Sequence, residues 1–521
     1  MFGCFATAVY LLFSVRSRST LAEDAAILTR YARHVARGLG YVWNPGDLPV
    51  DGATDWLGTT ILAGLYALGT PLELGPRLLS GAAHALTVAL VIVVMHRGFG
   101  APLVLTLISA ALVMLGPAHA YVEAGFLAPL FALPVLLGWA CIVFAASDGR
   151  RLWASGFALA MLAATLERPE GLALTALMLV AAWLVLDSRT LRRCALATLS
   201  MYLPLLVLFA LWRWQYFGHL LPLPFLKKGG GALHWDGLVD SLKGGLTLLW
   251  WVALAPVLGL RGGRSLRWSA ALAIVCGGFL AIWVLLSHEM NYFWRFQYAV
   301  VPITASSWWG AAGATWEEVA AAIGRLPRPS RRAWVAAAVL LVVGALTWQH
   351  RRFMATLSQD GLMTTGVMMR GLGGPDRRLV TTEAGLLPLY SEWHTVDAWG
   401  LNDMRIVSER GITDQYLSAI DADVIMFHAY YTPLTIPGQP ANEWDAMVAV
   451  LHRFASCHGY KLAAAFAPEL TQSHYYFVKA GWSGAEAFTS AIRQTPYAWS
   501  GSGAQPLELS ALDRYHPACG A

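Results

Sequence analysis

Arg168-Pro169-Glu170-Gly171 stands between two apolar runs, 152–167 and 171–187, and its reading decides the frame of the whole chain. An ionised side chain at the centre of a bilayer costs about 3 kcal/mol on insertion scales, so such a motif marks either a site or a turn at the membrane boundary. The composition sets the solvent around it. The chain has 521 residues, 57% of them hydrophobic and 13% charged, with 23 Trp and a mean hydropathy of +0.51. That balance is not water-soluble and predicts a multi-pass membrane protein.

Working outward, apolar runs at 78–96, 101–118, 125–146, 195–212, 246–260, 268–287, 297–315 and 333–349 join the first two as candidate spans. A further short helix over 1–15 lacks the basic leader and small-residue cleavage site of a signal peptide. At roughly 1.5 Å per residue it barely crosses a ~30 Å hydrocarbon core. The expectation is an all-α membrane bundle of about 11 transmembrane helices. With an inside N-terminus, Arg97, Arg150/Arg151, Arg189/Arg192/Arg193, Arg261/Arg264/Arg267 and Arg325/Arg328/Arg331/Arg332 all fall on one face, the positive-inside pattern. The segments 17–77, 168–171, 213–244 and 288–296, and everything after 350, then face the extracytoplasmic side of a cell membrane. The net charge of +5 is spread over short Arg clusters, which excludes a nucleic-acid partner and leaves the lipid bilayer. Cys4, Cys141, Cys194 and Cys276 sit in or beside apolar runs as small hydrophobes, and no metal spacing such as C-x-x-C occurs.

In the first long loop, Thr20 and Glu23 have capping-box spacing ahead of Ile27, Leu28, Tyr31 and Val35 at helical intervals. This predicts a helix lying along the membrane surface and ending at Gly38. Beyond it, Tyr41-Val42-Trp43-Asn44-Pro45-Gly46 and Pro49-Val50-Asp51-Gly52 form a turn-rich, aromatic-edged loop. Glu23 and Asp24 have two readings. Both suit the positive end of a helix dipole, and Glu23 suits the cap; Asp24 also suits a general base just outside the bilayer. A divalent cation on Glu23/Asp24 would need further oxygen ligands.

Four separated stretches then resemble one family. Glu23 to Gly46, Arg168 to Gly171, Trp212-Arg213-Trp214-Gln215-Tyr216-Phe217-Gly218-His219-Leu220-Leu221-Pro222-Leu223-Pro224-Phe225-Leu226-Lys227, and Glu383-Ala384-Gly385 with Val396 to Asp403 occur in order over most of the chain. Together they resemble the actinobacterial terminal β-1,2-arabinofuranosyltransferases, polyprenyl-phosphate-dependent glycosyltransferases of the GT-C type. The resemblance implies transfer of a sugar, arabinofuranose by family, from a polyprenyl-phosphate donor to a cell-envelope polysaccharide or glycolipid acceptor. It also implies a catalytic acidic pair at Glu23 and Asp24. This chain departs from the family's frequent Asp-Asp there, which leaves Asp24 as the base and Glu23 as cap or support. It departs again at Tyr121 to Leu130, where relatives carry a Gly-Leu-Glu-Thr-like run and Glu123 is displaced.

Donor chemistry can be argued from the residues themselves. A phosphate leaving group gains charge as the anomeric bond breaks, so fixed cations are needed at the outer boundary. Arg168, Arg213, Lys227, Lys228 and Arg295 fall there; the ordinary alternative, plainest for Lys228, is snorkelling to lipid head groups. Pro169 suits the start of the next helix, and Glu170 is placed to orient Arg168. Arg295 leads out of the run His288 to Tyr298, whose ordinary reading is an interfacial aromatic belt. Asn44, Asp51, Tyr216, His219 and Tyr292 complete the expected support.

Residues 1–349 thus read as the transmembrane catalytic domain and 350–521 as a small extracytoplasmic α/β domain. Strands are expected at 378–382, 394–398, 422–427 and 474–478, and helices at 412–420 and 443–454. Trp393, Trp399 and Trp444 are either acceptor platforms or core. Cys457 and Cys519 would lie in an oxidising compartment that permits a disulfide. Two other classes fit less of this. A transporter predicts broken helices meeting at the midplane, often with an internal repeat, and a non-catalytic envelope-assembly scaffold leaves the convergent charges unexplained.

Overall fold

The structure is a computed structural model that describes residues 20–229, 231–249, 262–287, 291–313 and 360–499, with 344 and 507–508 besides. The expected helix over 1–15, most of the spans at 246–260 and 333–349, and positions 288–290 lie outside the described residues.

The helices run α1 (Glu23–Ala36), α2 (Trp56–Ala67), α3 (Leu74–Val93), α4 (Leu103–Met114), α5 (Ala118–Ala124), α6 (Ala128–Asp148) and α7 (Arg151–Glu167). They continue with α8 (Glu170–Val185), α9 (Ser188–Ala197), α10 (Leu203–Phe217), α11 (Leu223–Gly229), α12 (Trp235–Leu248), α13 (Gly262–Ala281) and α14 (Val300–Ala312). Among the described residues, five helical stretches are long and apolar enough to cross a membrane: Leu74–Gly98, Leu103–Ala124, Ala128–Asp148, Ser188–Phe217 and Ser265–Leu285. Helices α8 and α14 have 16 and 13 residues, or about 24 and 20 Å at 1.5 Å per residue. The expected span 297–315 is therefore shorter than its apolar run. Residues 295–299 form turns ahead of its start at Val300, and Gly313 at φ +64° is its C-cap.

The opening motif is a tight corner. Arg168 is extended at φ −145°, ψ 141°, as the residue before a proline prefers, and Pro169 forms the N-cap of α8. A Cβ on Gly171 would lie 2.5 Å from the backbone of Ala164 and Thr165, so only glycine lets α8 fold back this closely on α7. Beneath the corner Phe131, Trp139, Phe157, Met161, Met178 and Phe279 fill the core between α6, α7, α8 and α13.

The C-terminal part carries α15 (Asp360–Leu372), β1 (Arg378–Thr381), α16 (Leu386–Ser391), β2 (His394–Asp397), α17 (Met404–Ser408), α18 (Asp414–Ile420) and β3 (Val424–Ala429). It ends with α19 (Glu443–Cys457), β4 (Tyr460–Glu469), β5 (Gln472–Lys479), α20 (Ala485–Gln494) and β6 (Leu507–Glu508). The sheet order is β2-β1-β3-β5-β4-β6, with β1 parallel to β2 and β3 and the other pairings antiparallel. Strand β4 was not expected: Ala463-Ala464-Ala465 has low strand propensity, and burial against β5 overrides it. Trp393 and Trp399 are buried in the cores and do not form open platforms. Cys457 is disulfide-bonded, and the pairing expected with Cys519 falls outside the described residues.

Helix α1 corrects the expectation of a surface helix. Residues on all its faces are buried, because the C-terminal sheet domain covers it. Arg30, 1% exposed, donates to the carbonyls of Trp43, Pro388 and Trp393 and to Asn44 Oδ1. Glu392 takes Arg33, Arg37 and Arg370, each at 3.2 Å. The capping box does not form. Ala22 is the N-cap, Thr20 Oγ1 donates to Asp360 at 2.8 Å, and Glu23 has other partners.

Candidate active site

The first loop, the Arg168 corner and the segment before α14 meet around a cleft with about 870 Å³ of empty space, open to solvent. Asp24, Asp55, Arg168, Glu170, Lys228 and Arg295 bring its charges, and Ile27, Leu28, Phe126, Phe225, Trp283, Phe296 and Leu401 its apolar wall. Three acids thus face three bases in one space. A cleft lined by paired charges on an apolar wall can take a ligand with an ionic head and a lipid tail.

Arg295 is the inner cation. It is 6% exposed, donates from Nη2 to Asp24 Oδ2, and its guanidinium lies 4.0 Å from the Phe126 ring centroid. Arg168 forms a fork: Nη1 to Asp55 Oδ1 at 3.0 Å and Nη2 to Glu170 Oε1 at 2.9 Å. Both guanidinium carbons lie 4.7 Å from the ring centroid of Phe296. Cation–π attraction to that shared ring offsets part of the repulsion between the two like charges. Burial raises the Asp55 pKa and Arg168 opposes the rise. Asp24 differs from the other acids because its side chain is 25% exposed, so a hydroxyl can reach it from the cleft.

Glu23, its neighbour in sequence, points elsewhere. Its carboxylate accepts from Gly385 N at 2.5 Å and Leu386 N at 3.1 Å, and it does not line the cleft. Burial, with the nearby charge of Glu383, holds its pKa well above the ordinary carboxylate range. Here it clamps the C-terminal domain to α1. The two carboxylates therefore do not form one ion-binding pair.

The remaining expected residues divide in the same way. Arg213 is bound to Asp51 and to the Leu220 carbonyl, and neither it nor Asp51 lines the cleft. Lys227 lies 4.2 Å above the Trp399 ring and 3.7 Å from Glu443 and likewise stays outside, whereas Lys228 enters. Asn44 joins the loop to β2, accepting from Thr395 N at 2.8 Å and donating to Thr395 O at 3.0 Å. Tyr216 Oη accepts from Tyr41 N at 3.2 Å, His219 Nδ1 lies 2.6 Å from the Leu221 carbonyl, and Tyr292 stacks against Phe126. These hold the loop and the cleft wall. Displaced Glu123 lies buried 3.6 Å from His119, with its own carbonyl taken by Arg77.

Asp55 is the charged cleft residue that sequence reasoning missed. It sits just before α2, where an Asp ordinarily reads as a cap, yet its side chain makes no cap bond and turns to Arg168. In the C-terminal domain Asp397 accepts from Asn402 at both Nδ2 and N, and Asn402 Oδ1 takes the Tyr31 hydroxyl at 3.0 Å. That turn delivers Leu401 to the cleft.

Apolar helices bearing a charged cleft, with a C-terminal sheet domain packed over helix α1, make up the fold. Solved structures of two other proteins are similar to it. ArnT from Cupriavidus metallidurans, bound to undecaprenyl phosphate, is similar over 91% of this chain and 97% of its own, with TM-score 0.59 and 15% identity; its apo state gives a TM-score of 0.55. The archaeal oligosaccharyltransferase AglB from Archaeoglobus fulgidus, in complex with an inhibitory peptide and a dolichol-phosphate, is similar over 92% of this chain and 74% of its own, with TM-score 0.50 and 10% identity. A family described as "Domain of unknown function (DUF8728)" matches residues 355–495. No curated protein matches the chain.

Proposed function

We propose that this chain is an integral-membrane glycosyltransferase that moves a sugar from a polyprenyl-phosphate donor to a glycan acceptor of the cell envelope. The observation that carries the reading is the pairing of solvent-reachable Asp24 with buried Arg295 in one cleft, with Arg168 on the other side of Phe296. Support also comes from the neighbours, one bound to undecaprenyl phosphate and the other to a dolichol-phosphate. Residues 1–349 would form the catalytic membrane part and 350–521 an extracytoplasmic domain, with the cleft at the outer boundary.

The resting ion pair suggests how the chemistry is gated. The donor's phosphodiester carries one negative charge and competes with Asp24 for Arg295; once it binds, Asp24 is released as a free base. An acceptor hydroxyl attacks the anomeric carbon, its proton passes to Asp24, and the anomeric C–O bond breaks. The lipid monophosphate leaves with the bonding electron pair, held by Arg295, Arg168 and Lys228. A single displacement inverts the anomeric centre. Were donor and product to share a configuration, Asp24 would act instead as nucleophile or as a stabiliser of an oxocarbenium-like state. Arg213 and Lys227 act at one remove, by holding the loops. We assign arabinofuranose as the sugar on the first-loop resemblance.

The test is reconstitution in liposomes with synthetic polyprenyl-phosphate arabinose, alternative sugars and an oligosaccharide acceptor. Sugar transfer by the wild type and its absence in a folded, donor-binding Asp24→Asn variant are expected. Full turnover in that variant would sink the assignment of Asp24, and no transfer from any lipid-phosphate sugar would sink the reading as a whole.

A further inference from the structure

Strands β3 and β5 pair antiparallel with His428 directly opposite His474, so both imidazoles rise from one face of the sheet. The chain leaving β1 brings Glu383 beside them, and one ligand atom from each of the three residues lies within 4.8 Å of the others. Each histidine has one nitrogen engaged. His428 Nδ1 is 3.2 Å from Glu383 Oε1, a spacing that two ligand atoms of one tetrahedral ion can take. His474 Nδ1 is 2.6 Å from the Tyr497 hydroxyl, itself 2.9 Å from that of Tyr476.

The two Nε2 atoms are buried and have no hydrogen-bond partner, and His474 is 0% exposed. Leaving a buried polar atom unsatisfied costs about 1–3 kcal/mol, so the bare Nε2 of the fully buried His474, in a cluster with a second imidazole and a carboxylate, needs a cause. The rings are also held in place. Trp499 stacks on His474 at 3.6 Å and meets His428 edge-on at 5.1 Å, while His428 N donates to Thr382 Oγ1 at 2.8 Å. His474, fixed through Nδ1 by a tyrosine hydroxyl with its Nε2 left bare, has the arrangement that a metal-binding imidazole takes.

We propose that Glu383, His428 and His474 bind a divalent transition metal, zinc being the ion that two imidazoles and one carboxylate suit best. Three protein ligands leave the fourth tetrahedral position to water. The site belongs to the C-terminal domain and does not depend on the reading of the cleft. It has a consequence there, because Glu383 stands two residues before Gly385, whose N–H holds Glu23. A bound ion would stiffen the turn that fixes α1 and so would position Asp24 without touching substrate.

The experiment uses tag-free, full-length protein in detergent, stripped with a chelator and titrated with Co²⁺ as a spectroscopic probe, then with Zn²⁺. Stoichiometric ligand-field bands of a tetrahedral nitrogen–oxygen site, displaced by Zn²⁺, are expected in the wild type. His428→Ala and His474→Ala should each weaken binding by more than about 100-fold, and Zn²⁺ should raise the unfolding temperature of the wild type and of the control His452→Ala, but not of these two. Absence of a saturable site in the wild type overturns the proposal. So does undiminished binding in folded His428→Ala, whose partly exposed position makes it the variant to rely on if His474→Ala does not fold.

Discussion

Glu23 and Asp24 are adjacent acidic residues at the start of one helix, and they belong to two differently built regions. Glu23 is part of the seam between α1 and the C-terminal domain, with Arg30, Asn44 and Glu392, where charges meet several fixed partners. Asp24 belongs to the cleft, where it meets Arg295 and is 25% exposed. The seam uses its charges to fix geometry. The cleft leaves at least one ion pair that an incoming anion can exchange, so neighbouring carboxylates of similar chemistry are expected to fail in different ways when changed.

The largest effect should come from exchanging one oxygen for nitrogen at each position. Asp24→Asn removes the proposed base and should lower turnover by about 10²–10⁴-fold, with the unfolding temperature nearly unchanged. Glu23→Gln keeps one acceptor oxygen but places an amide NH₂ opposite backbone N–H donors. It should cost about 1–3 kcal/mol of stability while the folded fraction turns over at close to the wild-type rate. Transfer assays with thermal unfolding on the same preparations separate the two. Equal loss of turnover in both would dissolve the distinction.

Next come the arginines. Arg295→Gln should weaken donor binding by about 10–100-fold, the equivalent of losing a charge-assisted hydrogen bond of about 1.5–3 kcal/mol. Arg213→Gln leaves Asp51 buried without its cation and should destabilise by about 3–5 kcal/mol. The protein that remains folded should keep its donor affinity, because Arg213 does not line the cleft. Donor titrations by lipid-phosphate competition decide this. A loss of affinity in folded Arg213→Gln would move that residue into the clamp.

What could be read in the sequence follows the range of the interactions. The corner at Arg168 was legible because proline, glycine and the flanking apolar runs are all local signals. Strands β1, β2, β3 and β5 fell close to their expected places for the same reason, whereas the alanines of β4 carry no such signal. Asp24, Arg168, Glu170, Lys228 and Arg295 were singled out by their boundary position and by resemblance, and all line one cleft. Local pattern could not say that Glu23 would bind Gly385, 362 positions away, or that Thr20 would bind Asp360 rather than cap its own helix. Asp55 was hidden by the opposite fault, a position so ordinary for a helix cap that nothing pointed to Arg168. The burial of α1 was misjudged because an amphipathic helix looks the same in sequence whether lipid or a protein domain covers it.

The effect that is smallest per pH unit belongs to the seam and gives it a pH signature. His34 is buried, with Nδ1 2.9 Å from the Val42 carbonyl, to which it must donate, so Nε2 is the nitrogen that titrates. Burial, and then the charge of Arg30, holds its pKa down at about 4 against an ordinary 6.5. Between those values the unfolded chain binds a proton that the folded one does not. The His34 contribution to stability is therefore complete above 6.5 and declines as pH falls toward 4, by at most about 1.4 kcal/mol per pH unit. Asp397 acts in the opposite sense: burial pushes its pKa up to about 6 from 3.8, so the folded state binds the extra proton and gains stability on acidification. The wild-type slope mixes these terms, and the difference between wild type and His34→Gln isolates one. The stability of the variant relative to wild type should rise steadily as pH is lowered from about 7 to about 4.5. A constant difference across that range would mean that the imidazole is solvated in the folded state, and that the seam is open to water as the cleft is.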